Sequence, residues 1–180
     1  MLANVDTSLP RPALPVDRPW RRQSAALLGF LTMSWCVSLL GSLPIRMNGD
    51  GWYAVADKAP WTPPGWIFGS VWLVLYAAMA VAVWLVWRQR RVDRRPALRA
   101  YGALLLLNLA WPFTFFGLYP MLETAALWLA LLVIGGHAVT ATIAVLSFGP
   151  ISRTAGLLML PYVSWLVFSA SLNLYAAVNN

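Results

Sequence analysis

The sequence predicts an all-α protein, an integral membrane bundle of five transmembrane helices with an aromatic, proline-rich loop between helices 1 and 2. Three observations predict it. Of 180 residues, 60% are hydrophobic and only 11% are charged, where a soluble domain carries about one quarter charged residues. The charges fall in short clusters between five long apolar runs. Lys and Arg are also shared unequally between alternate connectors, which is the signature of membrane topology. The net charge of +7 is therefore read as topology, and no nucleic-acid partner is expected.

The elements follow in order. Residues 1–22 hold Pro10, Pro12, Pro15 and Pro19 with Arg11, Arg18, Arg21 and Arg22, and are read as a disordered basic N-terminal tail. The remainder, 23–180, is the five-helix transmembrane domain. Its spans are read as Ser24–Leu43, Gly65–Trp87, Ala100–Tyr119, Met121–Phe148 and Ala155–Val178. Each is long enough to cross a hydrocarbon core of ~30 Å. The first lacks a small-residue cleavage site and is read as a retained helix, not a signal peptide. Pro112 interrupts the third span and should kink it. Gly29, Gly41, Gly102, Gly135, Gly136 and Gly156 are expected to allow close helix approach. No heptad run, internal repeat or phosphate-binding glycine loop is found.

The segment Pro44–Pro64 is the aromatic loop. Pro60, Pro63 and Pro64 make its second half stiff, and the last two stand where prolines precede a helix. Trp52, Tyr53, Trp61 and Trp66 give it, with the start of the next helix, a large rigid aromatic surface. Asp57 and Lys58 either tie the loop down or are solvated. With five spans the loop and the C-terminus lie on one side. That side holds 2 Lys or Arg (Arg46 and Lys58) and the other holds 11, so the N-terminus is expected to be cytoplasmic, in a bacterial cytoplasmic membrane. The arginines between Arg88 and Arg99 are read as topology signals and contacts to membrane lipid.

Three helices present faces of mixed aromatic and polar residues. Phe68, Trp72 and Tyr76 share one by spacings of four, Asn108, Trp111 and Phe115 a second, and Tyr162, Trp165, Ser169 and Asn173 a third. Taken singly, each side chain is accounted for by helix packing. Their convergence beside a stiff aromatic loop favours a cavity for an apolar ligand. At 1.5 Å per residue, Trp72 and Trp165 fall in the same half of the bilayer, at depths compatible with one flat ligand between the two rings. His137, the only histidine, has two readings: axial haem ligand, or hydrogen-bond partner between helices. Cys36 is read as a small buried apolar residue. No nucleophile, base and orienter set is visible, nor a metal-ligand cluster, so conventional catalysis is unsupported and no cofactor is required.

Three segments carry a family resemblance: WYAVADKAPWTPPGWIFGSVWLVLY, LNLAWPFTFFG and PYVSWLVFSASLN. Together they resemble the tryptophan-rich sensory protein family, also called the translocator protein or peripheral-type benzodiazepine receptor family, over roughly residues 25–178. The resemblance implies a five-helix bundle, commonly a homodimer, that binds porphyrins such as protoporphyrin IX and in some members sterols. It implies pocket roles for Trp72 and Trp165, a third-helix wall of Asn108 and Trp111, and a covering loop with Trp61, Pro63, Pro64 and Trp66. The ligand-binding set expected is thus Trp61, Trp66, Phe68, Trp72, Tyr76, Asn108, Trp111, Phe115, Tyr162, Trp165, Ser169 and Asn173. The sequence departs from the family where a Gln is usual, at Leu104, and carries only Glu123, near the start of the fourth span, where many members have an acid near the middle. The sterol-recognition pattern of animal members is absent, since AAVNN follows Tyr175. The function expected is a membrane receptor or sensor for tetrapyrroles, which bind in an aromatic pocket under the loop 45–64. The alternatives are a transporter of porphyrin or another hydrophobic molecule, and an enzyme degrading porphyrin in light.

Overall fold

The computed structural model describes residues 19–90 and 92–180. Most of the tail read as disordered therefore lies outside the described residues. The helices are α1 (Trp20–Asn48), α2 (Trp52–Val55), α3 (Gly65–Arg88), α4 (Arg95–Pro112), α5 (Tyr119–Leu122), α6 (Thr124–Phe148) and α7 (Arg153–Asn179), with a π-helical turn, Phe113–Gly117, continuing α4. Five are long and apolar enough to cross a membrane: α1, α3, α4 with its π turn, α6 and α7. The described residues contain no strand, and the chain is an integral, multi-pass membrane protein.

The five long helices close into a ring. α1 packs on α3, α3 on α7, α7 on α6, α6 on α4, and α4 back on α1. The buried residues of α6 are Ala126, Ala130, Ile134, His137, Ala141, Ala144 and Phe148, with Leu127 beside them. Those of α7 include Ala155, Met159, Tyr162, Leu166, Ser169, Asn173 and Ala176. Both sets step by fours and threes, strictly alternating in α7 and from Ala130 onwards in α6, the spacing of a left-handed helix pair. No heptad run was expected from the sequence, because the outward positions (Leu129, Leu132, Ile143 and Leu146 on α6, for example) are as apolar as the inward ones. The repeat is one of residue size, not polarity.

Several boundaries differ from expectation, each for a local reason. The first helix begins at Trp20, so Arg21 and Arg22 belong to it and not to a tail. It also runs through Pro44 to Asn48, so the loop starts five residues later than Pro44, where it was read. Pro44 forgoes one helical hydrogen bond but is buried, its Cβ facing Gly117, and the Asn48 side-chain amide donates to its carbonyl at 3.2 Å. α4 starts at Arg95, with Pro96 in its first turn, where the absent N–H loses nothing. The chain turns into α6 at Glu123, the one non-glycine residue of positive φ (51°) among the described residues. α7 tolerates Pro161 within it. The expected disturbance at Pro112 takes the form of the π turn, in which Leu118 N–H reaches back to the Phe113 carbonyl at 3.0 Å.

Of the glycines expected to allow close approach, two do so decisively. A Cβ on Gly156 would lie 2.9 Å from the Gly149 Cα, and one on Gly41 3.3 Å from the Pro112 ring. Gly29, Gly102, Gly135 and Gly136 face open space. Gly156→Ala is therefore expected to force α7 away from the α6 terminus and lower stability by about 1–3 kcal/mol. Thermal unfolding of the detergent-solubilised protein checks this, with Gly102→Ala expected to melt as wild type does.

Candidate ligand-binding site

The loop closes one end of the ring, and aromatic packing holds it there. Trp52 of α2 stacks on Tyr119 with ring centroids 3.6 Å apart, and touches Phe115 and Phe116. Its indole Nε1 donates to the Phe116 carbonyl at 3.4 Å, within the π turn. Further on, Trp61 donates to the Ser171 hydroxyl at 3.3 Å and packs edge-on against Tyr175. Between them the backbone of Asp57 is clasped by the side chain of Asn180. Asp57 N–H donates to Asn180 Oδ1 at 2.8 Å, and Asn180 Nδ2 donates to the Asp57 carbonyl at 3.0 Å. So Asp57 ties the loop down through its backbone. Lys58 donates to the Ala54 carbonyl and lies over the Tyr53 ring.

Beneath the loop end lies a cavity of about 160 Å³. Phe68, Trp72 and Tyr76 line it from α3, and Asn108, Trp111 and Pro112 from α4. Ser38, Gly41, Ser42 and Ile45 line it from α1, Ile134 and His137 from α6, and Leu166 from α7. Ile45 is 37% exposed and Gly69 beside it is exposed, so the cavity has a lateral mouth between α1 and α3 that faces hydrocarbon.

Buried hydrogen bonds set the polar wall. Asn108 Nδ2 donates to the Leu104 carbonyl at 2.9 Å and to the Tyr162 hydroxyl at 2.6 Å. With both amide hydrogens used, Oδ1 is what Asn108 offers the cavity. The Tyr162 hydroxyl, which accepts from Asn108, is also hydrogen-bonded to His137 Nε2 at 2.8 Å. His137 Nε2 is thus engaged between helices, which matches the second of the two readings of this residue. A parallel chain runs from Trp111 Nε1 to Asn173 Oδ1 at 3.0 Å, and from Asn173 Nδ2 to the Leu127 carbonyl at 2.9 Å.

Of the residues expected in the site, Phe68, Trp72, Tyr76, Asn108 and Trp111 are brought together in the cavity wall. Tyr162 and Asn173 stand directly behind it, and Phe115 stacks on Trp111 at 5.2 Å towards the loop. Trp61 belongs to the lid. Trp66 does not join them: it is 74% exposed at the start of α3. Trp165 does not face Trp72 across the cavity. Phe68 intervenes, its ring 6.3 Å from that of Trp72 and 5.4 Å from that of Trp165. Among the described residues, Trp165 Nε1 and Ser169 Oγ are buried without a hydrogen-bond partner. Cys36 is exposed on the outer face of α1, not buried. Sequence reasoning missed the α1 wall, although Ser38, Gly41, Ser42 and Ile45 at steps of three, one and three form a small-residue stripe that signals a close-packed face.

The sequence matches the TspO/MBR family over residues 27–178. The chain belongs to the TspO/MBR family. It is 35% identical to the translocator protein of Ovis aries, over 86% of this chain and 88% of that one. It is 34% identical to the translocator protein of Homo sapiens, over the same shares. The tryptophan-rich sensory protein of Cereibacter sphaeroides is 32% identical over 84% of this chain and 89% of its own. The family match takes in all five long helices and the loop, and leaves out the residues before 27.

Within this TspO/MBR bundle the two hydroxyls nearest the cavity floor should behave differently. Tyr162→Phe strands an Asn108 N–H and His137 Nε2, and is expected to lower stability by about 1–3 kcal/mol. Among the described residues the Tyr76 hydroxyl has no hydrogen-bond partner, so Tyr76→Phe is expected to be neutral. Melting temperatures of the two variants in one detergent check the contrast.

Proposed function

We propose that the protein is a membrane receptor for a flat apolar ring system with a polar edge, a tetrapyrrole such as protoporphyrin IX, held in the cavity between the helices. The observation that carries this is the wall of Phe68, Trp72 and Trp111 around few polar groups, the usual composition of a small-molecule site. Asn108 Oδ1 and the hydroxyls of Tyr76, Ser38 and Ser42 are the groups available to a polar edge. The present volume is below the ~300 Å³ at which ligand pockets begin, so binding requires the site to widen. Several contacts clasp the loop, whereas α1 has few buried residues: Ser34, Val37, Gly41 and Pro44. Widening therefore proceeds by separation of α1 from α3 and movement of the Phe68 ring, and the ligand enters from the bilayer. The clasped loop supports a receptor in preference to a transporter, whose site must open to both sides. We place the basic end of the bundle on the cytoplasmic side of a bacterial membrane, on its excess of Arg; a cytoplasm-only reporter active after Asn180 would reverse that placement.

Protoporphyrin IX is expected to quench the intrinsic Trp fluorescence of the purified protein saturably. Trp72→Ala should weaken binding about tenfold, which is 1.4 kcal/mol, the scale of one aromatic contact with its burial. Trp128→Ala, on the outer face of α6 at 46% exposure, should bind as wild type does. Quenching no greater than that of free tryptophan in detergent would overturn the reading.

The lateral route makes its own prediction. A side chain added at Gly69 meets nothing within 4 Å of its Cβ, so Gly69→Phe is tolerated but crowds the mouth. It is expected to slow porphyrin association in stopped flow, while Asn180→Ala, which releases the loop, leaves that rate unchanged. Acceleration by Asn180→Ala would place the entrance at the loop.

A further inference from the structure

At the basic end of the bundle, a full helix length from the loop, a second concavity lies between the first turns of α1 and the last turns of α3. Trp20 and Trp84 form its walls, and Gln23, Ser24, Leu27 and Leu28 line it between them. The Trp84 indole donates to the Gln23 carbonyl at 2.9 Å, which fixes that wall to α1. The trough opens outwards, with Trp20 72% and Leu28 63% exposed. Each wall carries a cation. The Arg88 guanidinium sits 4.6 Å from the Trp84 ring centroid, and that of Arg21 sits 5.9 Å from Trp20.

This places a mainly apolar trough between two indoles, each of which carries a guanidinium group. Tryptophan at this level is at home in the boundary between hydrocarbon and headgroups. A guanidinium resting on an indole face keeps its N–H donors free for a phosphate, which it can bind through two parallel bonds. We propose that the trough is a binding site for one anionic phospholipid, its acyl chain between Trp20 and Trp84 and its phosphate held by Arg21 and Arg88. The charges select this occupant. A second copy of the chain meeting this face by two-fold symmetry would bring the same arginines against each other. The residues before Trp20 carry Arg11 and Arg18 against Asp6 and Asp17, so they offer the site no net negative charge. A zwitterionic lipid brings a cation to a mouth that already holds two.

The test uses the full chain purified in detergent and incubated with equal amounts of phosphatidylglycerol and phosphatidylcholine of matched acyl chains. Retained lipid is counted by native mass spectrometry. Wild type is expected to retain phosphatidylglycerol several-fold in excess. The double variant Arg21→Gln/Arg88→Gln should bring the ratio to about one, Arg88→Gln alone should be intermediate, and Arg153→Gln should keep the wild-type ratio. Both arginines at the trough are exposed, so packing is unaffected. Equal retention by wild type, or an excess that survives in the double variant, overturns the proposal. So does displacement of the lipid by glycerol phosphate at comparable concentration, since the trough would then contribute nothing. A change of oligomeric state in the double variant without a change of lipid ratio would make this face an interface between copies instead.

Discussion

In hydrocarbon an apolar face gains nothing by turning inward, so hydrogen bonds between helices and close packing must orient the bundle. Two buried chains do this. Asn108, Tyr162 and His137 tie α4 to α7 and α7 to α6. Trp111, Asn173 and the Leu127 carbonyl tie the same three helices nearer the loop. Single bonds of this kind are worth on the order of 1 kcal/mol, but losing one partner strands the other where no water can replace it. α1 buries fewer residues and is held by Ser34 to Tyr101 at 3.0 Å, by the Tyr101 hydroxyl to the Phe30 carbonyl at 3.4 Å and by the Trp84 indole to the Gln23 carbonyl. The result is a firm triad of α4, α6 and α7 with α3 packed on it, and a looser α1 completing the ring.

That division of rigidity explains where the cavity sits. Asn108 and His137, which the triad contributes to its wall, are fixed by buried hydrogen bonds. Its yielding side is the seam between α1 and α3, where Gly41 and Ser42 face Gly69 and Phe68. The two sides are thus held differently: buried hydrogen bonds fix the side formed by the triad, whereas the α1–α3 side rests on side-chain packing.

The fold was largely legible in the sequence because length and hydropathy alone specify membrane spans. Gly65 at the start of α3 and Phe148 at the end of α6 were read correctly from the prolines and glycine beside them. Helix ends that depend on packing were not. Pro44 ends a helix on propensity alone, yet here it sits within α1, buried beside Gly117. The site was half legible. Trp72 and Asn108 announce themselves as aromatic and polar residues on helical spacing, but Ser38 and Gly41 carry no such mark. Their role comes from what they leave empty, which only the packed helices reveal. Trp165 fails for a related reason: depth along a helix can be counted from sequence, whereas the ring that intervenes, Phe68, depends on how α3 is rotated against α7.

Pro112 links the site to its lid. Without an N–H it leaves the Asn108 carbonyl outside the regular helix pattern, and that carbonyl lies 3.5 Å from where a Cβ on Gly41 would stand, so only a residue as small as glycine lets α1 pass so close. The π turn that follows frees a second set of backbone groups, and there the Phe116 carbonyl accepts from the Trp52 indole. One defect in α4 thus supplies both the narrow crossing that shapes the cavity and the anchor that seats the loop over it. A regular helix at this place would retain the aromatic residues but lose the acceptor that Trp52 uses. Whatever displaces α1 from α4 also disturbs the turn that holds the loop, since Pro44 of α1 packs on Gly117 at its end. The position of α1 and the seating of the loop are therefore linked through this one irregular turn.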